Sequence, residues 1–116
     1  MSNRPVERRL VSAAILFAAL GDPTRLLLLT RLSQGGPASI TVLADRFQLT
    51  RQGVTKHLQV LAGAGVIKGE RVGREHIWAL QPERLAEARR QLELISRGWD
   101  DALARLQSLC EEDAAG

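Results

Sequence analysis

Apolar residues recur at helical spacing through most of the chain, which predicts a mainly α-helical protein. Residues 6–20 are predicted to form the first helix, because apolar side chains recur on one face, at Leu10, Ala14, Phe17 and Leu20. A second helix is predicted over residues 23–33, with Asp22 as its N-cap and Pro23 in its first position, where no backbone N–H is needed. Its run of four consecutive leucines indicates burial on more than one side.

A short third helix and a tight turn are predicted next. Thr41 is the expected N-cap of a helix over residues 41–47, with inward-facing side chains at Val42, Leu43 and Phe47. Gln48 and Leu49 are expected to form the turn that leads into a fourth helix. Two helices joined in this way are typical of the helix-turn-helix motif.

The fourth predicted helix, residues 50–64, has one apolar and one polar face. Thr50 is its expected N-cap, because the hydroxyl can accept a backbone N–H that the first turn leaves free. The apolar side chains fall on one narrow stripe, at Val54, Leu58 and Leu61. His57 lies at the edge of this stripe, so we expect it to be packed or bonded to the backbone rather than to contact a base. Gly63 and Gly65 are expected to end the helix.

A β-hairpin follows the fourth helix. Residues 66–71 and 75–80 have the composition of strands, and Gly73 at the tip can supply the positive φ of a tight turn. The residues expected to anchor the hairpin to the core are Ile67, Ile77 and Trp78. The hairpin is expected to point a cationic tip outward.

A long last helix is predicted from Pro82 almost to Cys110. Its apolar positions alternate in steps of three and four, an unbroken heptad seam made of Leu85, Ala88, Leu92, Ile95, Trp99, Ala102, Leu106 and Leu109. A helix of roughly 40 Å is longer than a core built from the other residues. We therefore expect the seam to form a dimer interface with a second copy, while a helix folded back on its own domain is the alternative.

These elements together predict a winged helix-turn-helix, mainly α with a small β-hairpin, that dimerises through its terminal helices. The 116 residues suffice for one domain. Its expected parts are N-terminal helices in residues 6–33, a helix-turn-helix in 39–64, a wing in 66–80 and a dimerisation helix in 82–110.

The polar face of the fourth helix and the wing carry the side chains that suit double-stranded DNA. Glutamine can pair bidentately with adenine, lysine can reach guanine or phosphate, and threonine can touch a base edge or a methyl group. The candidate DNA-binding residues are Thr50, Arg51, Gln52, Thr55, Lys56, Gln59, Lys68, Arg71 and Arg74. The alternatives are an ordinary solvated helix face and a hairpin whose cations only protect a sheet edge.

Charge is distributed unevenly along the chain. The formal net charge is +3, but residues 46–76 carry six Lys or Arg against two Glu, whereas residues 77–116 carry five Arg against eight acids. Positive charge therefore gathers where the candidate DNA-binding residues lie.

One cysteine cannot form an internal disulfide, and no apolar run approaches membrane-spanning length, so a cytoplasmic protein is expected.

Three motifs resemble the ArsR family of bacterial winged-helix repressors: ALGDPTR at residues 19–25, VTKHLQVL at 54–61 and GREHIWAL at 73–80. The resemblance covers about residues 10–80. It implies a homodimer that binds operator DNA, often at its own promoter, and represses transcription. It also places the recognition helix at residues 51–61 and the wing at residues 68–76.

The chain departs from this family's pattern where many members bind metal. Residues 42–45 contain no cysteine, and the last helix has Asp100 and Asp101 but no histidine. His57, His76 and Cys110 do not lie at ligand spacing from one another. We therefore expect neither a metal nor another cofactor, and the C-terminal tail looks like that of the branch that does not sense metals.

Other functions are weighed against a DNA-binding repressor. An enzyme is not expected, because the sequence has no Gly-rich phosphate loop, no nucleophile elbow and no obvious partner for either histidine. A winged-helix protein-interaction module without DNA binding is one alternative. A repressor that responds to oxidants through Cys110 is another. The operator, the regulated genes and the inducer do not follow from the sequence.

Overall fold

The structure is a computed structural model that describes the backbone of residues 4–115 and the side chains of residues 4, 5 and 7–112. These residues form five helices and a small three-stranded sheet. In chain order the elements are α1 (Arg4–Leu20), α2 (Pro23–Gly35), β1 (Ala38–Ser39), α3 (Ile40–Phe47), α4 (Arg51–Gly63), β2 (Ile67–Val72), β3 (Glu75–Leu80) and α5 (Pro82–Ala115). The predicted winged helix-turn-helix architecture is confirmed.

The first two helices meet at Asp22, as predicted. The Asp22 carboxylate accepts the backbone N–H of Arg25 at 3.0 Å, and Pro23 occupies the first helical position. Helix α2 continues to Gly35, two residues beyond the expected end, and Gly36 follows with a φ of 78°. The two helix axes are bent by 94° relative to each other, so both can pack against the same core.

Helix α3 corrects two predictions. Its N-cap is Ser39, not Thr41, and the Ser39 hydroxyl accepts the backbone N–H of Val42 at 3.2 Å. The helix therefore begins at Ile40, and Leu43 and Ala44 are its buried residues. Val42 is 46% exposed, because it lies about 100° around the helix from Leu43. The prediction that Val42 faces inward is thus wrong.

Helix α4 follows the prediction closely. The Thr50 hydroxyl accepts the backbone N–H of Gly53 at 3.0 Å, which confirms Thr50 as the N-cap. The helix ends at Gly63, and Gly65 adopts a φ of 82° after the C-cap residue Ala64. Its apolar stripe has no exposed surface and consists of Val54, Leu58 and Leu61.

The hairpin forms the wing, and an unpredicted third strand fixes it to the helices. Strands β2 and β3 pair antiparallel, with Gly73 at a φ of 64° in the turn. The short strand β1 pairs with β3, joining Ala38 to Trp78 and Ser39 to Ile77. Ile67 and Trp78 are buried as predicted, whereas Ile77 is only half-buried.

The core lies between α1, α2, α3, α4 and the sheet. Its fully buried side chains are Leu16, Leu28, Leu43, Val54, Leu58, Leu61 and Val66. Three of these seven belong to α4, so this helix is fixed in place by the core along its whole apolar face.

Helix α5 contributes to this core only near its start. Ala88 is buried and Leu85 is partly buried against the core cluster. From Leu92 onward the large apolar side chains of this 34-residue helix are exposed, and the described part of the molecule measures 73 × 35 × 20 Å. Most of α5 therefore does not fold back on its own domain, contrary to the alternative considered above.

Among residues 4–115 no single helix is long and apolar enough to cross a membrane. The segments Glu7–Leu20 and Pro23–Gly35 reach the required length and composition only when taken together. They contribute Leu16, Leu28, Leu29 and Leu32 to the buried core.

Replacing Ser39 by alanine will lower the free energy of unfolding by about 1 kcal/mol, because the N-terminal N–H of α3 loses its acceptor. Thr41→Ala is the matched control, since Thr41 is exposed and does not cap the helix. It will stay within about 0.5 kcal/mol of the parent protein. Denaturant unfolding at one protein concentration measures both, and a larger loss for Thr41→Ala would contradict the assignment of the cap.

Candidate nucleic-acid interface

The polar face of α4 is open to solvent. Arg51, Gln52, Lys56 and Gln59 are exposed, and Thr50 is exposed beside them at the N-cap. The structure thus brings together all the helix residues that the sequence predicts for DNA contact. Thr55 is half-buried, and its hydroxyl donates a hydrogen bond to the backbone oxygen of Arg51 at 2.7 Å. Its hydroxyl oxygen can still accept a hydrogen bond, and its methyl group can still make an apolar contact.

The turn before α4 sets the angle at which this face is presented. Gln48 adopts the left-handed conformation, with a φ of 53° and a ψ of 45°. It is the only residue other than glycine with a positive φ in the described part of the chain. The backbone N–H of Leu49 then donates to the oxygen of Ala44 at 3.0 Å, which closes the end of α3. This turn lets α3 pack against α4 while Thr50 begins the new helix.

His57 joins α4 to the start of α2. Its Nδ1 lies 3.8 Å from a carboxylate oxygen of Asp22 and 3.5 Å from a guanidinium nitrogen of Arg25. The ring is half-buried, so the prediction of a packed histidine is confirmed, but its polar partners are side chains of the α1–α2 junction rather than backbone groups. The backbone N–H of Arg25 holds the pKa of Asp22 below its ordinary value, and the charges of Arg25 and His57 act in the same direction.

Arg25 completes this junction. Its guanidinium donates to the backbone oxygens of Ala19 and Ala18 near the end of α1. Arg25 lies in the ALGDPTR motif, but the sequence alone does not predict these contacts. The oxygens that it satisfies belong to the preceding helix, six and seven residues away, so no local pattern identifies them.

The wing carries its cations on the outside. Lys68, Arg71 and Arg74 are exposed, and none of the three forms an ion pair with a side chain that the structure describes. Arg71 lies opposite His76 in the hairpin, and Arg74 is in the turn. Three unneutralised cations on one hairpin suit the phosphates of a nucleic-acid backbone.

Gly69 is a wing residue whose role sequence reasoning missed. The rings of His76 and Trp78 stack on each other, with their centroids 4.5 Å apart. A β-carbon at Gly69 would collide with His76 Nε2 and would lie 2.9 Å from Trp78 Cζ3. The missing side chain therefore lets the two rings cover strand β2, which helps to hold the wing in position.

The predicted seam on α5 divides into a covered and an open part. Leu85 and Ala88 pack against the core of their own chain. The remaining large side chains of the seam are between 55% and 61% exposed at Leu92, Ile95, Leu106 and Leu109, and 65% exposed at Trp99. Ala102 is half-buried. Their role as a dimer interface stays a prediction.

No group of three or more His, Cys, Asp or Glu side chains among the described residues is arranged to hold a metal ion. His57 and His76 lie on different elements, and Cys110 is an exposed free thiol near the end of α5.

Comparison with known proteins places this arrangement in a family. A model of a helix-turn-helix domain matches residues 20–70. The transcriptional repressor SmtB of Mycobacterium tuberculosis is 31% identical over 100 residues, which cover 85% of this chain and 72% of SmtB. An ArsR-like transcriptional regulator from Rhodococcus has a TM-score of 0.74 and 35% identity, over 85% of this chain and 92% of that one. The chain belongs to the ArsR family.

A third comparison extends the likeness in fold. A winged helix-turn-helix DNA-binding domain from Mycobacterium bovis, solved as a homodimer, has a TM-score of 0.66 at 23% identity, over 89% of this chain and 91% of that one. In this ArsR-family protein, α3 and α4 are the helix-turn-helix, and β2 and β3 are the wing. The predictions of ArsR-family membership and of a DNA-binding transcriptional regulator are confirmed.

Proposed function

We propose that this ArsR-family protein is a homodimeric repressor that binds an inverted-repeat operator with α4 and the wing. The observation that carries the proposal is that α4 has an exposed polar side and a buried apolar side. Gln52, Lys56 and Gln59 are exposed on one side, while the opposite side is completely buried. A helix held this firmly by its apolar face can enter a major groove without changing its orientation.

The side chains divide into two roles by their chemistry. Gln52, Thr55, Lys56 and Gln59 are proposed to read base edges, because amides, hydroxyls and ammonium groups match the donors and acceptors of the major groove. The contacts to DNA phosphates, which do not depend on the base sequence, come from cations and from the N-cap of α4. These phosphate-binding groups are Thr50, Arg51, Lys68, Arg71 and Arg74.

The exposed apolar side chains of α1 and α5 support a homodimer. Among the side chains that the structure describes, large apolar residues of these two helices that are more than one third exposed include Leu10, Val11, Ile15, Leu92, Ile95, Trp99, Leu103, Leu106 and Leu109. A monomer would leave this surface in water, which is costly. A second copy related by a twofold axis can cover it, and the homodimeric relative of this fold is consistent with that arrangement.

The twofold axis determines the form of the operator. Two α4 helices in one dimer would enter successive major grooves about 34–36 Å apart, or a multiple of that distance. The operator is therefore an inverted repeat. We place this activity in the cytoplasm, where the chromosome of a bacterial cell lies.

Variants of α4 and of the wing test the two roles. A duplex enriched from a random DNA pool by the parent protein serves as the target. Gln52→Ala or Gln59→Ala will lower discrimination at one base pair of each half-site by about 1–3 kcal/mol. Arg74→Ala will weaken binding to all duplexes about equally and will reduce the slope of log affinity against log salt concentration by about one per contacted phosphate.

Fluorescence anisotropy with the enriched duplex and with single-base variants measures these differences. The stability of each variant without DNA is the control for folding. It will match that of the parent protein, because all three side chains are exposed and their loss leaves the core intact. A change in sequence preference for Arg74→Ala without a uniform loss of affinity would contradict the assignment. Weak binding to every duplex at low salt would instead favour a protein-interaction module.

A further inference from the structure

A cavity of about 570 Å³ lies between α1 and the first turns of α5. Its charged lining residues are Arg8, Arg9, Arg84 and Arg90 and the single acid Glu87. This composition contrasts with α5 as a whole, where acids outnumber arginines. The local excess of positive charge is therefore a property of this cavity and not of the helix that borders it.

The negative charge of Glu87 is already engaged. Its carboxylate forms an ion pair with the Arg84 guanidinium. Arg8, Arg9 and Arg90 form no ion pair with any side chain that the structure describes. Three arginines that line the cavity thus have no anionic partner among the described side chains, and a guanidinium binds a carboxylate through two parallel hydrogen bonds.

The uncharged lining consists of four apolar residues and two polar ones, Ser12 and Gln91. Ala13 and Leu16 come from α1, and Ala88 and Leu94 come from α5. Leu16 and Ala88 also belong to the hydrophobic core, so the base of the cavity is rigid. The volume falls within the range of small-molecule sites.

We propose that this cavity binds a small amphipathic carboxylate, with the carboxylate on the unpaired arginines and the hydrocarbon part on the apolar base. Charge complementarity selects the anion, and the four apolar side chains select the chain attached to it. The ligand acts as an effector of the DNA-binding function proposed above, and this part of the inference rests on that function.

Arg84 connects the cavity to the recognition helix. Its Nε donates to the backbone oxygen of Ala64 at 2.8 Å, and Ala64 is the C-cap residue of α4. A second nitrogen donates to the backbone oxygen of Ser12 in α1 at 2.9 Å. One side chain, itself only 18% exposed, therefore joins α1, the end of α4 and α5.

Arg84 lines the same cavity as the unpaired arginines, so a carboxylate held by them adds a further charged acceptor beside Arg84, which already binds Glu87 and the two backbone oxygens. A charged acceptor forms the stronger hydrogen bond, so occupancy weakens the contact between Arg84 and Ala64. The C-terminal end of α4 is then held less firmly against α1 and α5. The expected result is a lower affinity for operator DNA.

Titration calorimetry of the 116-residue protein with octanoate tests the site without any DNA. Octanoate will bind, and the neutral analogue octanol will bind at least about tenfold more weakly, since it cannot pair with the guanidinium groups. Arg8→Gln combined with Arg90→Gln will weaken octanoate binding by about tenfold or more. The matched control is Arg89→Gln, because Arg89 is the neighbouring residue, is 83% exposed and does not line the cavity.

No octanoate binding by the parent protein would overturn the proposal, and so would equal binding by the Arg8/Arg90 variant and the Arg89 control. The first result is also expected if a second copy of the chain fills the cavity. Because calorimetry involves no DNA, a protein that binds its operator but not octanoate leaves the proposed function intact and removes only this inference.

Operator affinity measured with and without octanoate tests the connection through Arg84. Saturating octanoate will raise the dissociation constant of the parent protein for DNA by about fivefold or more. Without octanoate, the dissociation constant of the Arg8/Arg90 variant for DNA will be within about twofold of the parent's. The same concentration of octanoate will not change it. Octanoate binding that leaves DNA affinity unchanged would support the site and overturn its connection to α4.

Discussion

Replacing both Ile95 and Trp99 by aspartate will convert the protein to monomers and lower its operator affinity by about a hundredfold or more. The two side chains are 61% and 65% exposed in the single chain, so they contribute little to its own core. In the proposed dimer they lie in the interface, where four buried carboxylates per dimer would be left unpaired. Affinity falls because two linked half-site contacts become independent ones. Sedimentation equilibrium measures the mass, and anisotropy measures the binding.

A variant with the same charge change on the other side of α5 is the control. Ala104 and Ser108 are both exposed, are four residues apart like Ile95 and Trp99, and lie about 160° and 200° around the helix from Ala88, away from the seam. Aspartate at both positions will leave the dimer intact. If the Ile95/Trp99 variant stayed dimeric, the assignment of the seam would be wrong.

Leu58→Ala will lower the free energy of unfolding by about 2–5 kcal/mol. Leu58 has no exposed surface and lies at the centre of the buried stripe of α4. The lost methyl groups leave a cavity between the recognition helix and the core. The same cavity loosens the support of Gln52 and Gln59 on the opposite face, so specific DNA affinity falls as well. Chemical denaturation at one fixed protein concentration measures the loss of stability.

Val60→Ala is the control for this prediction, because Val60 lies two residues further along the same helix and is 45% exposed. Its effect will be within about 1 kcal/mol of the parent protein. Equal losses for the two variants would mean that the apolar stripe of α4 does not carry the stability of this helix.

Helix α4 could be predicted in detail because its determinants are local. Val54, Leu58 and Leu61 repeat within one helix, and Thr50 bonds to a backbone N–H only three residues away. The N-cap of α3 could not be chosen in the same way. Ser39 and Thr41 are both good capping residues, and the choice between them depends on the pairing of Ser39 with Ile77 in strand β3.

Contacts between distant parts of the chain could not be predicted, because local patterns do not identify partners that lie far apart in sequence. The packing of His57 was predicted, but Arg25 is 32 residues away from it in sequence. Arg84 and Ser12 are separated by 72 residues, and nothing in their local patterns marks them as partners. Strand β1 is only two residues long, which is too short for an alternating pattern to be recognised.

The heptad pattern of α5 has a different limitation. The unbroken spacing correctly indicated a long helix, but spacing alone does not say which molecule covers each apolar side chain. Ala88 is covered by its own chain, whereas Trp99, eleven positions later on the same seam, is exposed. The structure separates the seam into a part that belongs to the core and a part available to a second copy.

The most direct test of a dimer that presents two α4 helices to one operator is a hydroxyl-radical footprint on the enriched duplex. Protection of two segments on the same side of the DNA, with half-site centres one or two helical turns apart and related by an inverted repeat, is the predicted result. Protection of a single segment, or of two segments arranged as a direct repeat, would contradict the proposed repressor.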